Sequence, residues 1–481
     1  KILLYAKRNR KFSSIIAILL PAISFIISPL HAAVPGEELP EDFDVYNLFD
    51  NISFYDGYKT DEIIDAGIDD GILRFNNYHY AKKLDTDKII GLGSDLKLEV
   101  IIGALCDNYD RLGRVMLAFP KAGSAVYNPE DPERIEIARF ITPFMNKNKS
   151  PKQAPYIYDI DDIRQVLSDT GFLNDKDVWM EVELFGIPYT ANKQIKGCDG
   201  RNDVFSATVS LGADATEIPP VSGRISVIPI NISKPEIYGN INLNNYNSLA
   251  TDTLGVTTRK YTFSVPTDLD DAIIYFINTN HGADEEGEEY YRRRHLIYVD
   301  SDLKLVYTPG GVSCEPYRYL NTQGNMIYDK SRPDSFWEEY SNWCPGQPVP
   351  IRRINLGNVK SGTHSLMIRV PEAEFYGESG DFRPSAFLIG VNGGKVAQPS
   401  AVETVIDGRN ELSISVNNEI VRFNSSSTIR ELRIYSYDGV LIEGVYNPGN
   451  SRDISFLPTG HYIITAVDAS GQSTFLKYLR P

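Results

Sequence analysis

A chain of 481 residues is long enough for two or three domains, each with its own core, and 42% apolar residues mark it as globular. Its formal net charge of −16 excludes a surface made to bind nucleic acid or anionic lipid. The 29 tyrosines against 3 tryptophans, with 36 glycines and 28 prolines, suit β-rich domains with many turns.

Lys7, Arg8, Arg10 and Lys11 precede an apolar stretch at 15–27, and His31, Ala32 and Ala33 follow it. Residues 1–33 therefore read as a secretory signal peptide, since Pro21 and Ser24 interrupt the stretch and it is short for a membrane span. Its removal takes five basic residues and no acid, so the formal charge of −16 becomes −21. All four cysteines, Cys106, Cys198, Cys314 and Cys344, lie beyond it. An even count in an exported protein favours two disulfides over a metal site. None of the six histidines stands in a His-x-His or His-Glu-x-x-His pattern, which argues against zinc-hydrolase and copper-oxygenase chemistry. No metal and no other cofactor is expected.

Along the chain, strand-like runs predominate at 72–75, 96–102, 115–119, 135–141, 178–185 and 205–211. Helical periodicity is scarce, with 160–167 its best candidate. Pro219-Pro220-Val221-Ser222-Gly223 breaks the pattern as a linker does, and a second set of runs follows at 224–228, 261–265, 272–277, 296–299, 366–370 and 387–389. After Gly393 and Gly394 a third, smaller β unit begins near Ile406. The expected fold is all-β, with sandwiches at 41–216 and 223–392 and a small module at 406–481.

Three segments carry chemistry. Between two strand-like runs lies Cys106-Asp107-Asn108-Tyr109-Asp110-Arg111, a loop with two carboxylates, a ring and a guanidinium. Alternation over 178–185 turns Val178, Met180, Val182 and Leu184 to one face and Trp179, Glu181, Glu183 and Phe185 to the other. A face mixing carboxylates with rings suits sugar stacking or an ordinary outer surface. Residues 280–295 set five carboxylates against Arg292, Arg293 and Arg294. Were one of these acids to meet Asp110 and Glu183, like charge would raise at least one pKa and put an acid beside a base.

The Cys-Asp-x-aromatic-Asp-Arg loop, Arg139-Phe140-Ile141-Thr142-Pro143, the Asn280-His281-Gly282 region and Trp343-Cys344-Pro345-Gly346-Gln347-Pro348-Val349-Pro350 together resemble the peptide-N-glycosidase F family over residues 45–392. The resemblance implies two adjacent eight-stranded jelly-roll β-sandwiches with the active site in the cleft between them. It implies a monomeric amidase that cuts the bond joining N-acetylglucosamine to asparagine in N-linked glycoproteins or glycopeptides. It assigns catalysis to Asp110, Glu289 and Glu183, with Glu288 one residue away as a second choice. Substrate contacts fall on Arg111, Tyr109, Phe185, His281 and Trp343, Arg111 either stabilising an oxyanion or pairing with Asp107. It also pairs Cys314 with Cys344, leaving Cys106 and Cys198 as the second expected bridge.

Departures are visible too. Gly287 and Tyr291 replace cysteines that bracket the family's glutamate, a cysteine upstream of Cys106 is missing, and Tyr340 falls where the best-known member has arginine. Tyr109 and Phe185 fall where that member has tryptophan. The alternatives are an endoglycosidase using paired carboxylates, or a non-catalytic glycan-binding surface protein. The last 75 residues or so, with Tyr435-Ser436-Tyr437-Asp438-Gly439 and Leu457-Pro458-Thr459-Gly460-His461-Tyr462, resemble the immunoglobulin-like sorting domain of type IX secretion substrates. That implies the type IX machinery as a partner and export through the periplasm and outer membrane of a Gram-negative bacterium, ending secreted or at the cell surface.

Overall fold

The computed structural model describes residues 39–59, 61–64, 71–130, 132–215, 224–232, 258–282, 288–373, 381–392, 412–417, 419–424, 428–436, 441–446, 448–457, 460–468 and 473–480. The expected signal peptide, the 219–223 linker, the acids at 284–286 and the turns at 437–439 and 458–459 lie outside these residues.

In the first unit the alternation of Leu98, Val100 and Ile102 with Lys97, Glu99 and Ile101 makes a strand with one core face. That strand, Lys97–Ala104, belongs to a four-stranded antiparallel sheet in the order Asp44–Tyr55, Asp203–Ala213, Lys97–Ala104, Gln153–Asp159. Opposite it stands a five-stranded sheet in the order Ile72–Arg74, His79–Lys83, Trp179–Leu184, Leu112–Phe119, Glu133–Ile141. Nine strands are thus described where eight are expected, the extra one being three residues long. Met180, Val182 and Leu184 meet Leu98, Val100 and Ile102 in one core cluster, each side chain contributing about 1.5–3 kcal/mol of burial.

The second unit repeats the plan. Its sheets run Arg224–Asn231, Ser385–Asn392, Leu269–Ile277, Arg352–Val359 and Thr258–Val265, Gly362–Arg369, His295–Val299, Asp302–Tyr307, with a two-stranded ribbon of Asn280–His281 and Asp381–Phe382. Ile274, Phe276, Ile297, Leu366 and Leu388 fill the space between. A third unit packs three strands and four strands around Val421, Leu432, Ile434, Leu457 and Ile464. The protein is all-β, its helices short, and the helix expected at 160–167 is Asp161–Ser168.

A polar seam joins the first two units. Arg139, fully buried on Glu133–Ile141, pairs with Glu136 at 2.6 Å and donates to Thr279 Oγ1 at 3.1 Å, to Ser385 Oγ at 3.2 Å and to the Arg383 carbonyl. The Cys-Pro-Gly-Gln-Pro-Val-Pro segment lies along the same strand, with Gly346 N–H donating to the Ile141 carbonyl and Val349 N–H to the Arg139 carbonyl. Gly346 holds φ of +98°, a conformation L side chains rarely adopt, so this turn of the motif needs glycine.

Candidate active site

The loop that leaves Lys97–Ala104 and enters Leu112–Phe119 is fastened at each step. Cys106 is bonded to Cys198 with Cα atoms 5.5 Å apart, and Asn108 Nδ2 donates to Gln194 Oε1 at 2.8 Å. Asp107, 1% exposed, accepts from Tyr109 N–H at 2.9 Å and Ile187 N–H at 2.7 Å, and Arg111 Nε at 2.7 Å completes its shell. Thr142 of the Arg-Phe-Ile-Thr-Pro motif closes the far end, accepting from Arg111 N–H at 2.7 Å and donating to the Tyr109 carbonyl at 3.0 Å. Asp107 therefore shapes the loop, and Asp110 stands between rigid neighbours.

Glu289 reaches Asp110 from the second unit. Residues 288–291 form a turn clasped by Asn342, whose Nδ2 donates to the carbonyls of Glu288 at 2.6 Å, Glu289 at 2.7 Å and Tyr291 at 3.3 Å. Glu288 is fully buried and pairs with Arg293 at 3.1 Å, whereas Glu289 acts on Asp110. Burial, and after it the charge of Glu289, push the Asp110 carboxyl well above its ordinary value, with Arg111 opposing. Two carboxylates in one desolvated place cannot both ionise cheaply, so the pair retains a proton into a range where ordinary carboxylates have lost theirs.

Of three phenols around this pair, sequence reasoning marked Tyr340 only as a departure from the family and passed over Tyr290 and Tyr328. Tyr290 packs edge to face on Tyr340, their rings 5.7 Å apart, and burial followed by the charge of Glu289 raises the Tyr290 hydroxyl well above its ordinary value. Tyr328 lies near enough to feel the charges of both Asp110 and Glu289. Burial first, and the Glu289 charge next, raise Tyr340 to about 12, so it stays a neutral donor. For Tyr290 and Tyr328 the one signal in the sequence was the excess of tyrosine.

Glu183 sits elsewhere in the first unit's five-stranded sheet. It is 6% exposed, accepts from Arg114 Nε at 2.6 Å and lies 3.4 Å from His79 Nδ1, while Glu181 meets His79 at 3.1 Å, Arg134 at 3.2 Å and Tyr127 at 2.8 Å. Burial raises Glu181, yet the hydrogen bond and charge of His79, followed by Arg134 and Tyr127, bring it below its ordinary value. The strand's second face is thus buried and internally neutralised rather than solvent-facing.

Of the expected substrate contacts, Tyr109 is 37% exposed, packs on Phe144 at 5.8 Å and carries the Arg111 guanidinium 5.3 Å above its ring. Phe185 meets Tyr58 at 5.4 Å and Tyr78 at 5.5 Å. Trp343 is 8% exposed, donates Nε1–H to the Asn280 carbonyl at 3.0 Å and packs with Ile141, Ile277 and Val349 in the seam. His281 lies 5.9 Å from it and bonds Thr279 Oγ1 at 2.8 Å. Burial, with Arg383 and Arg139 nearby, pushes His281 well down, so it is neutral. Cys314 and Cys344 form the second disulfide, so both expected bridges are present.

These features define an all-β protein of two adjoining sandwiches with an acidic centre assembled from both. Family models for the N-terminal and C-terminal domains of peptide-N-glycosidase F match residues 46–199 and 245–389, together more than half of the chain. The chain belongs to the peptide-N-glycosidase F family.

Among solved structures it is similar to PNGF-II, in two crystal forms, at 21% and 22% identity with TM-scores of 0.52 and 0.53. The match covers 73% and 74% of this chain and 66% of the length of those chains. PNGase F from Flavobacterium meningosepticum, described as a glycosylasparaginase, is 16% identical with a TM-score of 0.46, covering 74% of this chain and 98% of that one. No curated protein sequence matches the chain.

Proposed function

We propose that the protein is a secreted amidase that hydrolyses the bond between N-acetylglucosamine and asparagine in N-linked glycoproteins and glycopeptides. The observation that carries this reading is the meeting of Asp110 and Glu289, acids from two sandwiches that share one desolvated site. An amide needs an activated water, stabilisation of the oxyanion and protonation of the departing nitrogen. In the proposed reaction, water adds to the side-chain amide carbon and the C–N bond breaks. The water oxygen stays in the new aspartate carboxylate, and the nitrogen leaves with a proton as a glycosylamine on the intact glycan.

In this scheme Asp110 carries the proton to the nitrogen and Glu289 holds the attacking water. Arg111, anchored through Nε to Asp107, offers its charge to the oxyanion. Tyr109 and Phe185 cover sugar faces, while neutral His281 and Trp343 shape the wall of the second unit. Glu183 acts as a positioning group: its Arg114 partner lies on Leu112–Phe119, the strand that follows the Asp110 loop. The third unit is read as a type IX sorting domain that directs the chain to the cell surface or medium.

The test is incubation with an N-glycosylated peptide, followed by mass analysis of both products. Conversion of asparagine to aspartate with release of the whole glycan supports the proposal. A single N-acetylglucosamine left on asparagine points to an endoglycosidase and overturns it, and binding without turnover points to a glycan-binding protein and overturns it equally.

A further inference from the structure

The imidazole of His281 is neutral, so one ring nitrogen carries a hydrogen and the other does not, and the surroundings decide which. His281 is half-buried at the end of the short ribbon strand Asn280–His281, and the carbonyl of Gly282, the residue after it, accepts from the Glu289 N–H at 3.3 Å. Its Nε2 stands 2.8 Å from Thr279 Oγ1. Thr279 is 3% exposed, and its hydroxyl has one other partner among the described residues: Arg139, whose Nη1 donates to the same oxygen at 3.1 Å. Glu136 fixes that guanidinium, accepting from Nε at 2.6 Å and from Nη2 at 2.8 Å. A guanidinium has no acceptor, so the hydroxyl hydrogen of Thr279 is left with His281 Nε2 as its acceptor. Nε2 is therefore the bare nitrogen and Nδ1 carries the hydrogen. The opposite tautomer would leave a buried hydroxyl hydrogen without an acceptor. Nδ1 itself bonds to none of the described residues and is not among their buried atoms that lack a partner, so it is open to solvent.

We propose that Thr279, held by Arg139 across the seam, is a positioning residue that fixes His281 as the Nδ1–H tautomer and so presents that N–H to an oxygen acceptor of the bound glycopeptide. This rests on the amidase reading of the site. The charged groups around the ring keep it neutral and do not choose its tautomer. Arg383 and Arg139 oppose a proton on it, Asp381, opposite it in the ribbon, is bonded to Arg383 at 2.8 Å, and Glu136 is bonded to Arg139. Trp343, 5.9 Å away, gives its own N–H to the Asn280 carbonyl. A neutral donor suits the uncharged amide and hydroxyl oxygens of a glycopeptide. Arg139 thus joins the sandwiches and, through one hydroxyl, sets which way a wall residue offers its hydrogen.

Nitrogen-15 correlation spectra of the imidazoles, with His281 assigned by loss of its signals in His281→Gln, read the tautomer directly and without substrate. The wild type should show a protonated Nδ1 and a bare Nε2; the reverse, or an even mixture, overturns the proposal. In Thr279→Val the single tautomer should give way to exchange between the two, seen as averaged nitrogen shifts, and Thr279→Ser, which keeps the hydroxyl, should restore the wild-type pattern. On a glycopeptide Thr279→Val should raise KM about tenfold, the loss of one hydrogen bond, with kcat kept and Thr279→Ser near wild type. A Thr279→Val variant with the wild-type tautomer or the wild-type KM marks Thr279 as packing only and overturns the proposal. A wild type that converts no asparagine to aspartate is a failure of the amidase reading, which takes the substrate contact with it, and the spectra decide the tautomer separately.

Discussion

Two groups of acids among the described residues, one buried and one half-buried, are built in opposite ways. Around Glu181 and Glu183, each carboxylate has a cation at hydrogen-bonding distance, supplied by Arg114, Arg134 or His79. Glu136, next in the same sheet, is likewise held by Arg139 and Arg114, which overcome its burial and lower its pKa. At Asp110 burial and the charge of Glu289 outweigh the opposing charge of Arg111, which is also bonded to Asp107, and three phenols stand nearby. Acids matched by cations hold a sheet together; an acid whose burial and like-charged neighbour outweigh its cation stores proton affinity. Under the proposed function, the contrast separates a framework from a reactive centre within one domain pair.

The largest effect should come from the Asp110 cluster. Asp110→Asn removes the group proposed to carry the proton, and turnover of a glycopeptide should fall about a thousandfold or more while circular dichroism stays unchanged. Retained activity would erase the distinction between the clusters. In the compensated cluster the corresponding break is Arg114→Met, which leaves Glu183 and Glu136 buried without that cation. Denaturant unfolding should show a loss of about 3–5 kcal/mol, and a loss within error would mean that the network carries no structural weight.

The disulfides give a third, intermediate test. The Cys106–Cys198 bridge spans 92 residues and Cys314–Cys344 spans 30. In the chain-entropy model they contribute about 4–5 and about 3–4 kcal/mol, so the paired serine variants should rank in that order by urea unfolding.

The smallest effect is a matter of sign. The folded state binds the Asp110 proton more tightly than the unfolded chain, so stability falls as pH rises from the ordinary value of 3.8 through the raised folded one. Asp110→Asn should therefore melt higher than wild type at neutral pH, with the gain shrinking as pH falls toward 3.8. Glu181 and Glu136, both lowered, work the other way: their contribution is present above 4.5 and is lost as pH falls through their folded values. Differential scanning calorimetry across pH reads both slopes.

The sequence made the regular strands legible and hid what depends on partners far along the chain. Lys97–Ala104 and Trp179–Leu184 alternate cleanly and were readable. Asp44–Tyr55 was not, because register shifts between Asn47 and Phe49 and between Phe49 and Ile52 break its period of two. Gln153–Asp159 carries Pro155, which an edge strand tolerates but which argues against a strand when read alone. Among the site residues, the Asp110 loop was legible because its chemistry is contiguous. The neutralisation of Glu183 was not: Arg114 and His79 lie 69 and about 100 residues away and meet it only by strand pairing. The packing of Tyr340 on Tyr290 beside Glu289 is hidden for the same reason.

The claim that the Asp110 and Glu289 pair is the reactive centre is tested most directly by titrating Asp110 itself. Carbon-13 carboxyl NMR of the wild type, assigned by loss of the signal in Asp110→Asn, should show Asp110 titrating well above the ordinary carboxylate range, and moving down when Glu289→Gln removes the neighbouring charge. An Asp110 that titrates near 3.8, unmoved by Glu289→Gln, would contradict the account.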